Sequence, residues 1–162
     1  MDKKAKEEKT NVMRILDQKK IPYKERVFTD IPSTNGMEIA SILGQDPARV
    51  FKTLVTRGKS GKYYVFMIPV SESLQLKKAA KAVNEKSIAM ILQKELLPLT
   101  GYVHGGCSPI GMKKQFPTVI HETALEYDTI FFSGGRIAYQ VEMSPADLLS
   151  LIPAKTADLC ED

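Results

Sequence analysis

The chain has 162 residues, 43% of them hydrophobic and 26% charged, and a net charge of +4. That composition excludes collagen-like, low-complexity and wholly disordered chains, and a chain of this length buries roughly 70% of its unfolded surface around one core. The longest apolar runs, such as Ile88 to Leu92, are too short to cross a bilayer, and no apolar stretch follows the Lys-rich start, so a soluble, unexported protein is expected. Two cysteines, Cys107 and Cys160, cannot build a disulfide framework, and reduced thiols in a cytoplasmic protein are the default. The charge is uneven: residues 1–86 carry +8 and residues 87–162 carry −4. A basic half suits a polyanion without saying which one.

Thr10 is placed to cap a helix over Asn11 to Lys19, with Val12, Ile15 and Leu16 on one face and Pro22 beyond its end. Residues 1–9 are expected to fray. Tyr23 to Phe28 reads as a strand. Asn35 caps Gly36 to Leu43, with Glu38 at the third position and Gly44 closing the helix, and Asp46-Pro47 allows one further turn. Val50 to Thr56 and Lys62 to Pro69 are rich in β-branched and aromatic residues, and the glycine-bearing loop between them marks a hairpin. Ser73 precedes a helix from Leu74 to Val83 with lysines 77, 78 and 81 on its polar face. Ser87 to Leu92 fits either a strand or a helix. Gln93 to Leu97 reads as a helical turn ended by Pro98.

Four glycines fall within Gly101 to Gly111. Thr118 to His121, Thr129 to Ser133 and Ile137 to Met143 read as strands, the last two joined by a Gly134-Gly135 turn. A helix from Ser144 to Ile152 ends at Pro153. Strand pairs interspersed with helices, without a regular βαβ rhythm, predict one α+β domain over residues 1–162 with a mixed or antiparallel sheet.

The Gly101 to Gly111 loop is the first candidate site. Gly105 and Gly106 permit a close backbone approach and Pro109 fixes the far end, so the amides between them can converge on a phosphate or an oxyanion. An ordinary tight turn is the alternative. Lys52 lies within a strand, with Val50 and Leu54 on its face if alternation holds. An ammonium there must pair, snorkel or face a cleft, and the alternative is a charge guarding a sheet edge. His104 and Cys107 invite a thiolate–imidazole pair, but no nearby carboxylate orients the histidine. His104, Cys107, His121 and Cys160 fit no zinc spacing, and Ser108 has no partner histidine that spacing identifies. No P-loop, dinucleotide fingerprint or nucleophile elbow is present, so neither metal nor cofactor is expected.

Taken together, Ile21-Pro22-Tyr23, Val50-Phe51-Lys52-Thr53-Leu54, Leu76-Lys77-Lys78-Ala79-Ala80-Lys81, Gly101-Tyr102 leading to the run from Gly105 to Lys114, and Ser133-Gly134-Gly135 resemble the YbaK family. These are freestanding aminoacyl-tRNA deacylases related to the editing domain of bacterial prolyl-tRNA synthetase. The resemblance implies a mixed, partly closed β-sheet or barrel wrapped by helices. It also implies removal of a wrongly attached amino acid from the 3′ end of tRNA, with Cys-tRNA(Pro), and also Cys-tRNA(Cys), as substrate. Lys52 would contact the terminal adenosine or its phosphate. The backbone from Gly105 through Gly106 to Pro109 would hold the ester, and Phe28, Thr53, Ser108 and Ser133 would line the pocket. In cysteine-specific members the substrate's own thiol attacks its ester carbonyl, so no protein nucleophile is needed.

The expected partners are the acceptor end of aminoacyl-tRNA and prolyl-tRNA synthetase, with neither a membrane nor DNA. The chain departs from the family pattern at three places: Phe28 stands where relatives carry a tyrosine, Arg136-Ile137-Ala138 stands where a second basic residue and a glycine are usual, and Cys107 replaces an apolar residue. Three alternatives stay open: editing of Ala- or Ser-charged tRNA, a non-catalytic tRNA or nucleotide binder, and a thiol enzyme using Cys107.

Overall fold

The computed structural model describes residues 9–31 and 33–161, so the expected fraying falls, apart from Lys9, outside the described residues. Among the described residues no helix is long and apolar enough to cross a membrane. The first helix, α1 (Asn11–Gln18), is capped as its sequence predicts: Thr10 Oγ1 accepts from the Met13 N–H at 3.2 Å. Its apolar face buries Val12, Met13 and Leu16. Strand β1 (Lys24–Val27) is followed by α2 (Gly36–Leu43), where Asn35 accepts from the Glu38 N–H at 2.9 Å. Gly44 ends α2 in the left-handed region, at φ 71°. A single 3₁₀ turn, Pro47–Arg49, leads into the hairpin of β2 (Phe51–Gly58) and β3 (Tyr63–Pro69).

Then follow α3 (Leu76–Ala82), β4 (Ile88–Met90), α4 (Gln93–Thr100), β5 (Thr118–His121), a 3₁₀ turn at Glu122–Glu126, β6 (Ile130–Ser133), β7 (Tyr139–Met143), α5 (Pro145–Leu151) and β8 (Ala154–Ala157). A three-stranded sheet has the order β1-β7-β6, and a five-stranded sheet the order β4-β2-β3-β5-β8. In the larger sheet β5 runs parallel to β3 and to β8, while the remaining pairs are antiparallel. The class is therefore α+β with a mixed sheet, as expected. The two sheets meet at a parallel bridge between Val50 and Phe131 and do not close into a continuous barrel.

The central strand β3 explains the two-sided burial. Val65 and Met67 enter the larger core with Phe51, Val55 and Leu16, while Tyr64, Phe66 and Ile68 face a second core beneath α3 with Ala79, Ala80 and Leu159. A strand covered on both faces reads as a continuous apolar run instead of an alternation.

Most element ends shift by a residue or two from the sequence expectation, three shifts have a clear physical cause, and one strand is new. Helix α3 starts at Leu76 and is capped by Gln75, because Leu74 is drawn into a bridge with Cys160. Helix α4 runs through Pro98 to Thr100. The proline removes only the bond to the carbonyl of exposed Lys94, which water can solvate, and Thr100 Oγ1 donates to Leu96 O at 2.8 Å. Strand β7 begins at Tyr139 because Ala138 has φ 71°, so the β6–β7 loop spans residues 134–138. Strand β8, with the unassertive composition Ala-Lys-Thr-Ala, was not expected at all and is held by its parallel register with β5.

Candidate functional site

Strand β2 is paired along its whole length with β3, but β4 covers its other side only from Thr56 to Gly58. The uncovered part lies between the Val50–Phe131 bridge and a bond from the Ile91 N–H to Val55 O at 3.4 Å. A cleft of about 500 Å³ opens there. Its walls come from the segment before and into α2, from the β6–β7 loop and from the loop after α4. The smaller sheet and the glycine loop thus lean over a gap in the edge of the larger one.

Five of the residues expected at the site converge on this cleft: Phe28, Lys52, Thr53, Gly105 and Ser133. Lys52 stands opposite Ile68 in the hairpin register and is half-buried. Among the described residues no carboxylate pairs with it, although it lines the wall of a cleft. Thr53 Oγ1 is buried without a hydrogen-bond partner in the same wall. Lys52, opposite Ile68, and Thr53, opposite Met67, leave β2 on opposite faces, so a half-buried cation and an unsatisfied hydroxyl flank the strand's open edge, where each gains by meeting a polar ligand.

Gly105 has φ 89°, and a Cβ there would lie 3.3 Å from Thr34 Cγ2 and 3.6 Å from Ile137 Cγ1. Thr34 and Ile137 therefore straddle it. Among the described residues no acceptor takes the Gly105 N–H, whereas the Gly106 N–H is spent on Val103 O at 2.9 Å. Gly106, Ser108 and Pro109, expected against the substrate, do not line the cleft and lie behind it. At Gly106 a Cβ would sit 2.9 Å from the Ile137 backbone nitrogen, so this glycine lets the loop press on the β6–β7 turn. Ser108 is fully buried, its Oγ accepting from the Ile110 N–H at 3.3 Å. Pro109 O accepts from Gln115 Nε2 at 3.2 Å. These three brace the loop from the protein side.

Tyr102 completes the brace. Its hydroxyl donates to Ile110 O, joining the ends of the loop, and burial pushes its pKa up to about 12. In the opposite wall Gln140 lines the cleft and exchanges two amide hydrogen bonds with Gln45 behind it, at 2.8 and 3.1 Å. Phe28, 7% exposed, donates its N–H to Ala138 O at 2.9 Å and so ties the chain after β1 to the cleft rim.

Cys107 also lines the cleft, but burial pushes its thiol up to about 12, against a smaller lowering effect from a Thr100 hydrogen bond. It is a packed thiol, not an activated one. His121 is far from that role too, its Nδ1 accepting from the Leu159 N–H at 3.0 Å. Among the described residues no group of three or more His, Cys, Asp or Glu side chains could hold a metal. Sequence reasoning missed Thr34, Met37, Met90 and Ile137 as cleft residues. The turn-rich stretch before α2 was a readable signal for Thr34, but nothing local marks Met90.

Residues 33–151 match the family described as the aminoacyl-tRNA editing domain. The chain is 44% identical over 160 residues to EbsC of Enterococcus faecalis, named as a candidate Cys-tRNA(Pro)/Cys-tRNA(Cys) deacylase, with 98% of each chain covered. It is 27% identical over 99 residues to a proline–tRNA ligase of Fervidobacterium nodosum, covering 61% of this chain and 17% of the ligase. Among solved structures, a candidate trans-editing enzyme for prolyl-tRNA synthetase superposes with TM-score 0.78 at 27% identity, covering 94% of this chain and 99% of that one. The family match spans more than half of the chain and the EbsC relative nearly all of it, and the chain belongs to the aminoacyl-tRNA editing domain family.

Proposed function

We propose that this protein is a trans-acting aminoacyl-tRNA deacylase that clears Cys-tRNA(Pro), and Cys-tRNA(Cys) as well, at the cleft along β2. The observation that carries the reading is Lys52, a half-buried cation with no carboxylate partner among the described residues, in the cleft that also presents the Gly105 N–H, which no described acceptor takes. Lys52 binds the phosphate of the terminal adenosine. The Gly105 N–H donates to the oxyanion that forms on the ester carbonyl. Thr53 and Ser133 supply hydroxyls to the ribose and ester, and Phe28 closes the apolar side.

Neither Cys107 nor Ser133 is an activated nucleophile in this cleft. The Cys107 thiol stays protonated far above neutral pH, and Ser133 Oγ is occupied in accepting the Gly135 N–H at 3.1 Å. A substrate that brings its own nucleophile removes that requirement. The cysteinyl thiol attacks its own carbonyl carbon, a C–S bond forms, and the C–O bond to the ribose breaks. The thiol proton ends on the ribose oxygen, leaving a cyclic thiolactone and free tRNA. The protein supplies the folded geometry and the oxyanion donor, which are the contributions a rigid loop can make. A cleft of about 500 Å³ encloses an acylated adenosine and not the body of a tRNA, so selection of tRNA(Pro) calls for prolyl-tRNA synthetase as a partner.

The test is the rate of ester loss from tRNA(Pro) charged in turn with Cys, Ala and Ser, with products separated by mass. Fast loss from the cysteinyl ester with thiolactone release is expected. Clearance of the alanyl or seryl ester alone would move the assignment to those substrates, and binding without turnover of any ester would make the protein a carrier.

A further inference from the structure

A second hollow, of about 280 Å³, lies at the far end of β2 and is lined by Arg57, Lys59, Ser87, Leu92 and Glu95. It shares Met90 and Ile91 with the cleft, so the two form one continuous surface along β4. We propose that this hollow is an RNA subsite, which holds the phosphates preceding the terminal nucleotide while Met90 and Leu92 carry a base. The inference rests on the deacylase reading and extends the substrate beyond the acylated adenosine.

Its chemistry is that of a single-stranded nucleic-acid track, cations beside apolar platforms. Arg57 and Lys59 are exposed, and no carboxylate pairs with either among the described residues. The Arg57 guanidinium lies over the Tyr63 ring, 5.8 Å from its centroid, which fixes it without neutralising it. Glu95 is the acidic group in the hollow, and its carboxylate is engaged by the Leu92 N–H at 3.1 Å at the start of α4. The Lys59 N–H donates to Ser87 O at 3.0 Å, holding the β2–β3 loop against β4. Met90, which lines both cavities, and Leu92, which lines the second, are 48% and 60% exposed and so offer apolar surface to a base. Lys52 and Arg57 are five residues apart on one strand, about 17 Å, a span of a few extended nucleotides, and because the odd spacing sets their side chains on opposite faces, an RNA strand that meets both crosses the open edge of β2.

The test compares the wild-type protein with the pair Arg57→Glu and Lys59→Glu, and with Lys155→Glu as a charge control on β8, the opposite edge of the same sheet. Three readouts are taken: turnover of Cys-tRNA(Pro), turnover of a 3′-cysteinyl adenosine ester, and binding of an uncharged RNA hairpin with a single-stranded acceptor end. The double variant should raise KM for charged tRNA about tenfold and flatten the logarithmic salt dependence of RNA binding by about 1.4, as expected for two lost phosphate contacts. Its turnover of the small ester and its melting temperature should match wild type, and Lys155→Glu should change none of these. If the glutamates disturb folding, the glutamine pair tests the same charges. Equal losses on tRNA and on the small ester, unchanged RNA binding, equal weakening by Lys155→Glu, or no RNA binding by the wild type would each overturn the subsite. Failure of wild type to turn over either ester would defeat the deacylase reading, while the hairpin comparison would still decide the subsite.

Discussion

Replacing Lys52 by methionine separates a grip on substrate from a role in folding, because the methionine keeps most of the apolar stem and deletes only the charge. In the free protein that charge is half-buried without a paired carboxylate among the described residues. The folded state therefore loses no ion pair, and the melting temperature should stay within about 2 °C of wild type or rise. Bound substrate is another matter. A charge-assisted hydrogen bond to phosphate is worth about 1.5–3 kcal/mol, so kcat/KM should fall roughly ten- to a hundredfold. The assay is ester loss from Cys-tRNA(Pro) under subsaturating substrate, with thermal denaturation of the same samples. Lys52→Arg should keep part of the activity, since the charge remains while the geometry changes. Unchanged kcat/KM in Lys52→Met would refute the grip, and a fall in activity tracking a collapse of the melting temperature would make Lys52 a guard of the sheet edge.

Ala138 holds a left-handed backbone, φ 71°, at a place where glycine costs nothing sterically. Ala138→Gly should stabilise the protein by about 0.5–1 kcal/mol, read as a rise of a few degrees in melting temperature, and a fall would show that the methyl's packing outweighs the strain. Gly106→Ala should lose most deacylation although Gly106 does not touch the cleft, because its Cβ would displace the β6–β7 turn backbone 2.9 Å away. Full activity there would mean the loop is not braced by that contact. Cys107→Ala should leave the pH–rate profile unaltered between pH 6 and 9, since the thiol is raised to about 12 and stays protonated throughout. The remaining rise of rate with pH belongs to the substrate's thiol, whose ordinary pKa is about 8.5. A profile that flattens in the variant would return Cys107 to the mechanism.

What the sequence made legible was whatever is decided within a few residues. Caps at Thr10 and Asn35 and the left-handed stop at Gly44 are local bargains at a helix end, and each occurs as read. The β2–β3 hairpin likewise announces itself by composition. Strand β8 did not, since Ala154 to Ala157 is a strand only because β5 offers it a parallel ladder. The same distinction runs through the site. Lys52 stood out because a cation inside an apolar strand needs a local explanation, and Gly105 because of the glycine pair. The partition within the loop, with Gly105 facing the cleft and Gly106, Ser108 and Pro109 facing the protein, depends on Ile137 and Thr34 arriving from elsewhere. Spacing carries no record of that.

The interrupted neighbour of β2 has one more consequence. Between Val50 and Val55 a length of strand has no companion on one side among the described residues, and an unfilled ladder will accept an extended chain that reaches it. Recessing that stretch inside a hollow and setting a lysine upon it discourages a second polypeptide while still admitting a slender, negatively charged visitor. On the proposed reading, an RNA end seated in the cleft covers this open edge, and its occupancy should protect crowded solutions of the protein against clumping, as light scattering with and without RNA would show.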